Sequence, residues 1–288
     1  MIQHPSRVAS YAAVSFAACS WGTWALLLRH TEAIAPLPTS LESTIVMAVI
    51  TIVAGAMSVR DRVAAAASWK ARGWVVCLGV ADAFNVLLFF AAYKITIGVS
   101  ILAHYTTPIL VAIAAPLVLG ERITRKTVVA VIVSFSGLAL VLTPAVSSPA
   151  TGAVCASAAL GAGSAVFYAS CVFLNKFVVG SFSTSETLFW HGVVATPLLA
   201  TFVPRHAWAA VDARAAGFLA LVSIVPGAMA GIAFVWGLRR MPAAHASMLP
   251  LLEPLIAVFI GASVYGEPMG PRVFVGGGLV LAGAAAVL

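Results

Sequence analysis

The sequence predicts an all-α integral membrane protein of ten transmembrane helices, arranged as two inverted five-helix repeats. Three observations lead there. The 288 residues are 62% hydrophobic and only 9% charged, with a mean hydropathy of +1.06, whereas a soluble domain is about 45–50% apolar and roughly 25% charged. That leaves too little polar surface to cover a globule in water. The apolar residues fall in ten runs of membrane-crossing length. The chain also matches itself when displaced by 146 residues.

The runs are 9–28, 40–59, 72–93, 97–119, 127–146, 151–174, 184–203, 215–238, 243–264 and 271–288. Each supplies the roughly 20 residues that a helix rising about 1.5 Å per residue needs to cross hydrocarbon. The first is read as retained: Ser20-Trp21-Gly22-Thr23-Trp24 followed by Leu26–Leu28 is too long and aromatic for a cleaved leader. Connections as short as Lys94–Thr96 and Met241–Pro242 make consecutive helices antiparallel neighbours. With the N-terminus cytoplasmic, 11 of the 16 Lys and Arg lie on inside segments, the side that basic residues favour. Ten spans then leave the C-terminus inside as well. The net charge of +7 is spread over span ends, where phospholipid contact accounts for it, so no nucleic-acid partner is expected. Cys19, Cys77, Cys155 and Cys171 lie in apolar runs without CxxC or zinc-ligand spacing, so neither redox chemistry nor a metal or other cofactor is indicated.

In the self-match Pro108 falls on Pro254, Val118 on Val264, Gly120 on Gly266 and Glu121 on Glu267. The register runs without a gap from Lys94/Arg240 to Leu142/Leu288. Earlier segments match more weakly, Glu42 and Glu186 each opening the second span of their half. The division predicted is 1–146 and 147–288. Five spans is an odd number, so the second copy enters the membrane upside down. That arrangement is characteristic of secondary transporters, whose substrate site lies near the midplane between repeats.

The repeated segments read His104-Tyr105-Thr106-Thr107-Pro108 … Leu119-Gly120-Glu121 and Leu251-Leu252-Glu253-Pro254 … Tyr265-Gly266-Glu267-Pro268. Together with Ser20-Trp21-Gly22, the chain resembles the paired EamA-type exporters of the drug/metabolite transporter superfamily over nearly its whole length. The resemblance implies a central cavity lined mainly by spans one, three, four, six, eight and nine. It also implies export of small metabolites, aromatic amino acids among them, across the bacterial inner membrane. Thr107 stands where many repeats of the family carry an acidic residue before the proline, so a carboxylate role there survives only at Glu253.

Polar and ionisable side chains inside apolar spans must face protein or a wet cavity. Asp82, with Asn85 one turn on, either lines the cavity and meets a substrate ammonium or bonds a neighbouring helix. Glu253 before Pro254 faces a helix kink and serves either proton exchange or structure. His104 and Tyr105 precede the matching proline, and His191 lies beside Trp190; all three are cavity candidates, and His104 has no cluster with which to ligate a metal. Trp21 and Trp24 share a helix face too deep for an interface belt, and Tyr168 is a further wall residue; Trp236, near a span end, reads as belt. Aromatic walls favour an aromatic or large apolar amino acid. Glu121 and Glu267 are expected to cap or pair at a membrane face near Arg122, Arg125 or Arg272. Gly227, Gly231, Gly137, Gly283 and Gly276–Gly278 are expected to pack helices closely.

An exporter working by alternating access, with the lipid bilayer and a small molecule as its partners and a monomer as the working unit, accounts for these features. No Walker motif provides for ATP hydrolysis, no catalytic constellation suggests an enzyme, and no repeated polar ring suggests a channel.

Overall fold

The computed structural model describes residues 7–60, 63, 67–142, 151–209, 211–266 and 269–287. The boundary expected between 146 and 147 lies outside them, as do Glu267 and Leu288. Regular secondary structure is helical throughout the described residues, apart from one isolated bridge between Val179 and Phe182.

The first apolar run forms α1 (Arg7–Gly22) and α2 (Trp24–Ile34). They are separated only at Thr23, whose hydroxyl donates to the Ser20 carbonyl at 2.6 Å and tightens that turn. Next come α3 (Thr39–Ser58) and α4 (Trp69–Ile95), the latter capped by Ser68, whose hydroxyl accepts from the Ala71 N–H. The fourth run is broken into α5 (Ile97–His104) and α6 (Thr107–Val118). Pro108, in the first turn of α6, has no N–H to continue the ladder of α5. Then follow α7 (Arg125–Leu142), α8 (Thr151–Phe177), α9 (Thr184–Ala200) and the short α10 (Arg205–Ala209). A capping box opens α9, with Ser183 and Glu186 satisfying each other's backbone N–H.

The eighth run is also interrupted. A π-helical turn, Ile224–Met229, joins α11 (Ala213–Val222) to α12 (Ala230–Leu238), with Pro226 inside it. The ninth is α13 (Ala243–Met248), a 3-10 turn at Leu249–Leu251 and α14 (Leu252–Tyr265). The last helix is α15 (Pro271–Val287). Eight of these runs are long and apolar enough to cross a membrane; α9 and α15 are shorter, at 17 residues each.

Four pairings hold the bundle: α1 against α12, α3 against α9, α4 against α8, and α7 against α15. Small residues set the closest approaches. A Cβ added at Gly137 would stand 2.5 Å from the Gly276 carbonyl oxygen, and one added at Gly276 would stand 2.5 Å from that of Gly137. Gly277 touches Leu255, while Gly278 has open space beside it, so the glycine run packs through its first two members only. Gly227 and Gly231 border the central cavity; a Cβ added at Gly227 would crowd Ile50 at 3.3 Å, and one at Gly231 would meet Leu188 at 3.4 Å. Gly120 and Gly266 adopt left-handed φ values of +68° and +67° and end α6 and α14 alike, a conformation in which a Cβ is costly.

Candidate functional site

A cavity of about 410 Å³ occupies the middle of the bundle, within the range typical of small-molecule sites. Trp21, Trp24, Asp82, Asn85, His104, Tyr105, Tyr168, His191 and Glu253 all line it. Spans two and seven contribute too, through Glu42, Met47, Leu188 and His191, which widens the expected set of wall helices. Trp236 lies outside the lining and carries the Arg240 guanidinium over its ring, 4.2 Å from the centroid.

The polar groups form three clusters. His191 Nε2 stands 3.2 Å from Asp82 Oδ2, joining α9 to α4, while its Nδ1 faces the Thr187 carbonyl at 3.2 Å. Both ring nitrogens stand within hydrogen-bond distance of an oxygen, so the ring ties α9 to α4. In the second cluster Ser164 donates to Asn85 Oδ1 at 3.0 Å and accepts from His104 Nδ1 at 2.7 Å, tying α8 to α4 and α5. In the third, Tyr105 at the end of α5 reaches the Glu253 carboxylate in the first turn of α14. The two broken helices therefore present their breaks to each other. An acid in a first helical turn also faces the positive end of the helix dipole.

An aromatic run crosses the cavity. Phe89 lies 4.5 Å from the ring of His104, which stacks on Tyr168 at 5.3 Å; Tyr168 leads to Phe234 at 6.4 Å and Phe234 to Trp21 at 5.1 Å. Phe89, Phe90, Tyr93 and Phe234 escaped the sequence reading because an aromatic in an apolar run carries no sign of whether it faces lipid or cavity. Asn175 escaped too, sitting at a span end. It lies on the cavity floor with its amide N–H bonded to the Cys171 carbonyl at 2.9 Å and its Oδ1 without a partner among the described residues.

Beyond Asn175 the bundle is closed. Glu121 both pairs and caps, as expected, but not with its sequence neighbours Arg122 and Arg125. Instead it meets Lys176 at 3.3 Å and accepts the Ala243 N–H at 2.7 Å, because the left-handed turn at Gly120 directs it across the bundle end. Lys176 donates also to the Met241 carbonyl. Arg239 donates to the Phe182 carbonyl at 2.9 Å and to the Thr187 hydroxyl. Burial, then the neighbouring Arg240, lower its pKa to about 10, so it keeps its charge at neutral pH. His245 bridges Tyr11 at 2.6 Å and Thr127 at 3.2 Å. The cavity lining extends the other way, to Leu28, Glu42 and Tyr93.

Removing either partner of the Asp82–His191 pair leaves the other polar and unpaired. Asp82→Asn and His191→Gln are expected to be non-additive, with a coupling of about 1–2 kcal/mol in a double-mutant cycle of thermal stability. Additive losses would mean that the two groups act independently.

The EamA-like transporter family profile matches the chain twice, over residues 9–143 and 156–288. An uncharacterized transporter of Archaeoglobus fulgidus is 28% identical over 72% of this chain and 73% of its own length. A protein of Streptantibioticus cattleyicolor described as a probable terminal-alkyne amino-acid exporter is 24% identical over 70% of this chain and 67% of its own. A solved crystal structure superposes with a TM-score of 0.81 at 17% identity, covering 98% of this chain and 96% of that one; this likeness concerns the fold alone.

Proposed function

Because the chain belongs to the EamA-like transporter family, we propose that it is a secondary exporter of small metabolites with a ring or bulky apolar part, aromatic or large apolar amino acids being the first class to test. The observation that carries this is the cavity of about 410 Å³, walled by rings and closed at one end by the contacts of Glu121, Lys176 and Arg239. A site reachable from one side is one half of an alternating-access cycle, and opening at the other end is the second half. The charge distribution supports placing the closed end, with both termini, on the cytoplasmic side of the inner membrane. The Streptantibioticus relative, described as a probable terminal-alkyne amino-acid exporter, supports the amino-acid reading.

The helix pairings support ten spans in two inverted halves, 1–146 and 147–288. Exchanging each span with the one five places on turns the α4–α8 pair into α12–α1, and it returns α3–α9 and α7–α15 to themselves. Ser134 Oγ reaches the Val280 carbonyl at 3.5 Å, a contact between residues 146 apart, as a two-fold axis between α7 and α15 requires. Breaks at Tyr105–Thr106 and Leu249–Leu251, and the paired left-handed glycines, follow the same register.

The test is counterflow in proteoliposomes across a panel of labelled amino acids and related metabolites. Saturable exchange that weakens with Trp21→Ala, by roughly tenfold in half-saturation for about 1–1.5 kcal/mol of lost ring contact, is the expected result. Non-saturable flux would point to a channel instead.

A further inference from the structure

The charges of the cavity wall go further than its shape. Among the described residues the lining holds three carboxylates, Glu42, Asp82 and Glu253, and neither lysine nor arginine. Two of the three have basic company: His191 bonds Asp82, and the Lys94 charge acts on Glu42 at the mouth. Among the described residues Glu253 has only the Tyr105 hydroxyl. It sits in the first turn of α14, within the cavity wall. A substrate carboxylate entering here would meet another carboxyl group and no lysine or arginine of the lining with which to pair, and an unpaired buried charge is costly. A substrate ammonium meets the opposite situation. It would neutralise Glu253 among the rings of Trp21, Tyr105 and Tyr168, whose faces attract cations. On the floor, Asn175 Oδ1 is a buried acceptor without a donor among the described residues.

Resting on the exporter reading above but departing from its amino-acid clause, we propose that the preferred substrate is a ring-bearing organic amine without a carboxylate, its ammonium held by Glu253 and its ring laid along Trp21, Phe234 and Tyr168. Glu253 thereby takes the ammonium contact that the sequence had offered to Asp82, whose carboxylate already meets His191 at 3.2 Å. The aromatic run from Trp21 to His104 provides the apolar bed, and Asn175 offers a second acceptor to a substituent on the ring.

Three probes sharing one skeleton separate the possibilities: 2-phenylethylamine, phenylalanine and 3-phenylpropionate, a cation, a zwitterion and an anion at neutral pH. Each is used as competitor in proteoliposome counterflow, and each is titrated against the tryptophan fluorescence of the detergent-purified protein. The amine is expected to bind at least about tenfold more tightly than phenylalanine, with the propionate weakest, and Glu253→Gln is expected to compress that ranking to within about threefold. Phenylalanine or the propionate equalling the amine overturns the proposal, as does a ranking that survives Glu253→Gln in a variant that still binds. If none of the three competes while another metabolite shows saturable counterflow, the amine assignment falls and the transport reading stands. If nothing on the wider panel is exchanged, both fall.

Discussion

Gly276→Val is expected to loosen α15 from α7 and to cost about 3 kcal/mol, the upper part of the range for overpacking a well-packed interface. The first atom of the new side chain would stand 2.5 Å from the Gly137 carbonyl oxygen and 2.8 Å from a methyl of Val141. A backbone oxygen cannot rotate away, so the helices themselves must separate. The close approach is reciprocal, so Gly137→Val should behave alike, and combining the two should cost less than their sum because the helices are already apart. Gly278→Val is the control: with open space beside it, it should change stability by no more than about 0.5 kcal/mol. Thermal unfolding in detergent measures all of these, and equal effects at 276 and 278 would show that the contact does not hold this pair together.

Glu121→Ala should release the closed end. One carboxylate there holds the Lys176 ammonium and the Ala243 backbone N–H, so its loss removes two charge-assisted bonds from the junction of three connections. At about 2 kcal/mol for such bonds to a charged group, the Ala243 amide should exchange with deuterium roughly 30-fold faster. Glu121→Gln keeps an acceptor for the Ala243 N–H and should recover part of the protection. If exchange at Ala243 is unchanged in the alanine variant, Glu121 does not govern this end. Under alternating access the same substitution shifts the resting population towards opening on that side.

The helical runs were legible because lipid imposes one rule on every span: backbone polar groups are satisfied within a helix and side chains are apolar. The rule also made Asp82, Asn85, His104, His191 and Glu253 conspicuous, since polar groups at that depth must turn inward. It could not say what they would meet. Asp82 and His191 are 109 residues apart, and nothing in either local sequence marks the pairing. Glu121 sits among basic neighbours in sequence yet bonds Lys176 and Ala243, because a left-handed turn redirects the chain. Glu42 read as an acid opening a helix, a common and sufficient role, although it also borders the cavity mouth. The π turn around Pro226 was foreshadowed only by the proline, since hydropathy is blind to how backbone bonds are rearranged inside an apolar run.

The paired left-handed glycines bear on how the two halves could drift apart from a common ancestral segment. Most wall and packing positions accept several apolar residues, so a duplicated copy can change there freely. At 120 and 266 the backbone turns through a conformation that an ordinary side chain resists, so neither copy could wander. What survives as recognisable kinship between the halves is therefore concentrated where the main chain, and not the cargo, sets the requirement.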